Sequence, residues 1–241
     1  CNGPQPLLSC SHHYQKEESI VLSTETVWDR RQTTEKEISD AQYNLTIGMV
    51  LSWGFGINYL MIQSIPAETV LSINQWVFLI GYIVSVVIGT TIYTKSDNPA
   101  ISFAGYNFIV VPIGLLLVRY LYFFEADVIS QAFLTTGLVT LSIMAVASVQ
   151  PKFFLSIGGA LSIAFIVAFL VELGMYFFTG SVPPIFDWIF VLIFSGYIGY
   201  DWARAQALPK TTDNAVDCAA ALYVDIVILF MRLLRILGRR N

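Results

Sequence analysis

Polar and charged residues crowd positions 1–41 of the chain and then give way to seven long apolar runs. The runs span approximately 43–63, 75–94, 99–121, 128–148, 153–177, 184–203 and 215–237. A helix of about 18 or more apolar residues can cross a bilayer, and each run is of that order. The breaks between them carry turn or charge signals: Pro66-Ala67-Glu68, Lys95 to Pro99, Glu125-Ala126-Asp127, Gln150-Pro151-Lys152, Gly180 to Pro184, and Pro209 to Asp213. Connections this short leave consecutive helices as antiparallel neighbours. The runs are continuously apolar, whereas membrane barrel strands would alternate apolar and polar positions over about ten residues. The pattern therefore predicts an all-α, polytopic membrane protein, with a polar tail over 1–41 and a seven-transmembrane-helix bundle over 42–241.

Composition agrees with the pattern. Of 241 residues, 56% are hydrophobic and only 12% charged, against roughly 25% charged in soluble domains. A chain this short exposes too much surface for the deficit to reflect a large water-soluble core. The tail reads as solvated chain, with an interfacial helix from about Thr24, resting on Val27 and Trp28, as the alternative. No secretory signal peptide is expected, because the first apolar run follows about 40 polar residues. Cys1, Cys10 and Cys218 make no disulfide framework. Basic residues set the orientation. With seven spans the tail shares a side with Lys95, Lys152, Arg204 and Lys210, so the N-terminus is expected in the cytoplasm. Arg232, Arg235, Arg239 and Arg240 at the end of the chain pull the other way. The expected location is a cell membrane, such as a bacterial inner membrane, or an endomembrane.

Against this background two aspartates stand out. Asp201 closes the sixth run, and Asp225 interrupts the seventh between Val224 and Ile226. A carboxylate within hydrocarbon costs at least a few kcal/mol unless it is hydrated or paired. Asp201, followed by Trp202 and Arg204, can be read as an interface marker. Asp225 is too short to reach water past its apolar neighbours, so it needs a partner. That partner is either a hydrogen-bonding group on a neighbouring helix or Asp201 itself, reached because runs six and seven form a hairpin. The small residues Cys218 to Ala221 would allow close approach. Two carboxylates meeting in a poorly hydrated site titrate as a unit. Sharing one proton holds the helices together; losing it makes them repel or recruit a cation. Two hard oxygen ligands suit a weak, transient calcium site better than storage.

These residues resemble those of the Bax inhibitor-1, or transmembrane Bax-inhibitor-motif, family. The likeness rests on Tyr200-Asp201, Leu222-Tyr223-Val224-Asp225 and Leu233-Leu234-Arg235 in order and spacing. Weaker likeness extends upstream through "NPAISFAGYNFIVVPIGLLL" and "QAFLTTGLVTLSIMAV". The resemblance implies a seven-helix bundle with its last helix central, acting as a pH-sensitive calcium leak. Asp201 and Asp225 would be its proton sensor and gate, with calcium as permeant ion and no cofactor. The family commonly has Asn three residues after the second aspartate, where this chain has Ile228. It also implies a basic residue after the second helix, for which Lys95 is the candidate.

The other ionisable groups near the runs have simpler readings. Glu172 is expected to pair with Arg119, to line a cation path or to face a wet crevice. Arg119 is otherwise expected to snorkel toward Glu125 or Asp127. Asp187 reads as interfacial, Arg232 and Arg235 as snorkelling to headgroups, and Asp213 and Asp217 as negative charge favouring a helix N-terminus. Several functions are excluded. "GFG" at 54–56 lacks the pattern of a nucleotide loop. "NLT" at 44–46 abuts a span on the cytoplasmic side and is discounted as a glycosylation acceptor. His12 and His13, both in the tail, leave no Ser–His protease. The seventh run has no lysine for a retinal Schiff base. An intramembrane aspartyl protease, which also uses two aspartates on adjacent helices, stays open as a rival that Tyr200-Asp201 favours, but it needs Gly-x-Gly-Asp where Leu222 to Asp225 stand. A non-enzymatic calcium leak is thus the leading expectation, with a proton-coupled transporter or a non-conducting membrane regulator as alternatives and an intramembrane aspartyl protease behind them. The expected partners are calcium ions, protons and membrane lipids, with no nucleic acid.

Overall fold

The computed structural model describes residues 36–239, and among these the regular structure is entirely helical. The elements are α1 (Asp40–Ser64), α2 (Ala67–Leu71), α3 (Gln75–Lys95), α4 (Pro99–Leu121), α5 (Ala126–Val149), α6 (Pro151–Thr179), α7 (Ile185–Ala207) and α8 (Thr212–Gly238). Each predicted apolar run is a helix, and α2 is a short addition after Pro66. The alternative of an interfacial helix around Val27 and Trp28 falls outside the described residues.

Local chemistry sets the boundaries. Ser39 and Gln42 form a reciprocal capping box at the start of α1. Asn74, Asn98 and Thr211 accept backbone N–H groups at the starts of α3, α4 and α8. Pro99 and Pro151 occupy first-turn positions, where the missing N–H costs nothing. Gly180 ends α6 in the left-handed region at φ 70°. Inside α4, Pro112 cannot donate to the carbonyl of Phe108. Ser85 of α3 fills the gap, its Oγ donating to that carbonyl at 2.7 Å. The same two helices approach at Gly89 and Gly105: a Cβ added at Gly89 would lie 2.6 Å from the Gly105 carbonyl oxygen.

Five helices, α1 and α3 to α6, are long and apolar enough to cross a membrane. α7 and α8 have the length but carry several charged residues. Burial explains the division. α8 packs against α1, α4, α5 and α7 and is buried over most of its length, so its polar groups face protein. α3 and α6 instead expose large apolar side chains such as Trp76, Ile80, Ile163 and Phe178. Such a surface belongs in lipid rather than water. The entry to α1 is tied to the turn between α7 and α8: the Ile38 amide donates to the Lys210 carbonyl at 2.8 Å, and Lys210 pairs with Asp40 at 2.8 Å.

Candidate functional site

The structure brings Asp201 and Asp225 together. Their carboxyls lie within hydrogen-bonding reach of each other across the α7–α8 hairpin. Asp201 lies six residues before Ala207 and Asp225 thirteen after Thr212, about 9 and 20 Å along their helices at 1.5 Å per residue. α8 therefore begins about 10 Å beyond the end of α7. The connecting residues Leu208 to Thr211, extended at both ends, make that offset. Ionised carboxylates only accept, so a bond between two carboxyls requires that one keep its proton. Asp225 is buried, and its Oδ2 meets no N–H or O–H donor. A carboxyl proton or a cation would supply what that oxygen lacks. Asp201 is partly exposed and lies within electrostatic reach of Arg204, three residues on.

Neighbouring side chains fix the two helices around the pair. Trp202 Nε1 donates to Ser148 Oγ of α5 at 2.8 Å and so ties α7 to α5. Tyr200 lays its ring against Gly158 of α6, where a Cβ would come within 2.4 Å. On α8, Tyr223 is buried, accepts a hydrogen bond from Asn58 Nδ2 and packs edge-on against Tyr106. Tyr43 Oη donates to Cys218 Sγ at 3.5 Å. Of the small residues Cys218 to Ala221, the first three are buried and Ala221 is partly exposed.

Toward the start of α8, Asp213 and Asp217 are also buried. Asp213 Oδ1 accepts from Ser102 Oγ of α4 at 2.7 Å, a tertiary contact beyond any role at the helix end. Tyr93 of α3 lies within electrostatic reach of Asp201, Asp217 and Asp225. The buried face of α8 thus carries carboxyls at 213, 217 and 225, with Asp201 joining from α7. Among the described residues no group of three or more acidic, histidine or cysteine side chains could hold a metal ion. Two carboxyls supply at most a fraction of the oxygens calcium takes.

The remaining candidates lie elsewhere. Lys95 is exposed at the end of α3 and takes no part in the bonding described for the two aspartates. Arg119 does not reach Glu172. It donates to the Ile73 carbonyl at 3.3 Å and stacks over Phe78 at 5.3 Å, held by the turn after α2. Glu172 pairs instead with Arg232, through two bonds of 2.6 and 2.8 Å. Asp187 is fully buried in protein, facing Arg232 and Arg235 at 3.2 Å each and Arg239 at 2.9 Å. Arg232 further lies over the Phe190 ring at 3.9 Å. The expectation that Arg232 and Arg235 snorkel to headgroups is corrected for Arg232, which is largely buried against Glu172 and Asp187; Arg235 reaches the same two acids but stays partly exposed. Only the acids' awkward position in apolar runs hinted at this cluster.

No curated protein matches the chain closely enough to count. The family described as "Inhibitor of apoptosis-promoting Bax1" matches residues 40–241, which include every helix above. Its match and the apolar helices make the chain an integral multi-pass membrane protein, and the chain belongs to the Bax inhibitor-1 family.

Proposed function

We propose that this protein is a pH-sensitive, calcium-permeable leak channel gated by Asp201 and Asp225. The observation that carries the reading is the close approach of the two carboxyls inside the α7–α8 hairpin. In this reading α7 and α8 also cross the membrane, giving seven spans with α8 central and the N-terminus cytoplasmic. The placement of α8 between α1, α4, α5 and α7 supports the central role. While one proton is shared, the hairpin stays closed. As pH rises the proton leaves, two like charges face one another, and the pair either separates or admits a divalent cation. Asp217 and Asp213 offer further carboxyls along the same helix, so a calcium ion passing the pair is cargo, held briefly. No catalytic role is assigned, since Leu222-Tyr223-Val224 precede Asp225 where an aspartyl protease needs Gly-x-Gly.

The test is calcium efflux from loaded proteoliposomes across a pH series. Flux should rise with pH, by about tenfold per pH unit at most for a single proton. Asp225→Asn keeps a donor for Asp201 at every pH and should leave the flux low and flat. Asp201→Asn should flatten it likewise. An unchanged pH profile in both variants defeats the gate. Calcium flux that stops without a counter-flow of protons would make the protein a transporter.

A further inference from the structure

At the opposite end of α8 the arginine cluster adjoins a groove that the gate does not use. The groove, about 540 Å³, runs between α6 and α7, and its walls are hydrocarbon: Ala164, Val167, Ala168 and Val171 on one side, Phe186 and Ile189 on the other. Val171 and Phe186 of the groove wall are followed directly in sequence by Glu172 and Asp187, so the groove and the ion-pair cluster occupy successive residues of the same two helices. There, among the described residues, three arginines face two carboxylates, leaving one positive charge over. The Arg235 and Arg239 side chains are 34% and 38% exposed. Arg235 engages Asp187, Glu172 and Tyr120, and Arg239 engages Asp187 through Nη1. Guanidinium carries five N–H donors, so both retain donors for a further acceptor.

Depth also fits. α6 has 29 residues, about 43 Å of helix against a hydrocarbon core of about 30 Å. Glu172 lies seven residues before the end of α6, about 10 Å in, close to where the core gives way to headgroups. Tyr176 and Trp188 stand exposed beside the cluster, as aromatic residues do at that level.

We propose that an anionic phospholipid binds here, its phosphate on Arg235 and Arg239 and one acyl chain along the groove between α6 and α7. Guanidinium suits a phosphate through paired N–H bonds. The surplus positive charge favours a headgroup with net negative charge over a zwitterionic one, whose ammonium would sit near the arginines. The groove supplies what free phosphate lacks.

Native mass spectrometry of the full chain, purified in detergent and titrated with phosphatidylglycerol or phosphatidylcholine, tests this without reference to calcium flux. Phosphatidylglycerol adducts should form at about tenfold lower lipid concentration. Arg235→Gln with Arg239→Gln should remove that preference, and Arg239→Gln alone, at the more exposed arginine, should reduce it. Ala164→Phe, at an exposed groove position, should weaken retention of phosphatidylglycerol with helicity and melting unchanged. The proposal is overturned by any of four results. These are an intact preference in the double variant, wild-type retention in Ala164→Phe, displacement of the lipid by chainless glycerol phosphate at equal concentration, or protein dimers in place of lipid adducts that Ala164→Phe abolishes.

Discussion

Asp187 and Asp225 are both buried carboxyls, and they meet the cost of leaving water in opposite ways. Asp187 faces three arginines, which stay charged at any ordinary pH. Asp225 faces another acid, so its state depends on a proton that can be gained or lost. Pair-breaking changes should therefore behave differently at the two ends of α8. Arg232→Leu leaves Glu172 without its two-bond partner and should destabilise the protein by about 3 kcal/mol. Removing both partners, in Glu172→Leu with Arg232→Leu, should recover much of that loss in thermal melts. Near Asp201 and Asp225, melting temperature should fall as pH rises in the wild type and stay level in Asp225→Asn. The Asp225 problem was readable from the sequence, because a short acid among apolar neighbours has no route to water. The solution at Asp187 was not. Its partners lie 45 or more residues away, and an apolar run carries no record of how its helix is rotated against another.

At the scale of elements, the helix boundaries were legible because they rest on local chemistry. Asn98-Pro99, Gln150-Pro151 and Gly180 mark ends through contacts within a few residues. Close approach between elements was not legible in the same way. Gly89 and Gly105 form a backbone contact between α3 and α4, while Gly137 has open space around it. Gly89→Val should therefore destabilise the protein by about 1–3 kcal/mol, whereas Gly137→Val should not, as measured by melting in detergent. Ser85→Ala should cost about 1 kcal/mol by leaving the Phe108 carbonyl, already abandoned by Pro112, without a donor. A serine in an apolar run looks ordinary until the proline 27 residues later is set beside it.

Across the whole molecule, polarity is arranged by what each helix touches. α3 and α6 are nearly uniform in hydrocarbon because their surroundings are apolar on most sides. α8 collects carboxyls toward its start and arginines toward its end because protein surrounds it. Hydropathy alone thus identifies the periphery best and the charged helices α7 and α8 least. The sequence features that singled out α7 and α8 were their misplaced charges and the family likeness.

The four residues from Leu208 to Thr211 have a consequence of their own. They act as a ruler, sliding one helix past its neighbour by nearly two turns so that two acids far apart in count become level. Two alanines inserted after Pro209 would shift the phase of the hairpin without altering either acid. The expected outcome is a folded protein whose calcium flux no longer responds to pH. A normal pH profile in that insertion variant would mean that spacing along the hairpin does not control the meeting of the two side chains.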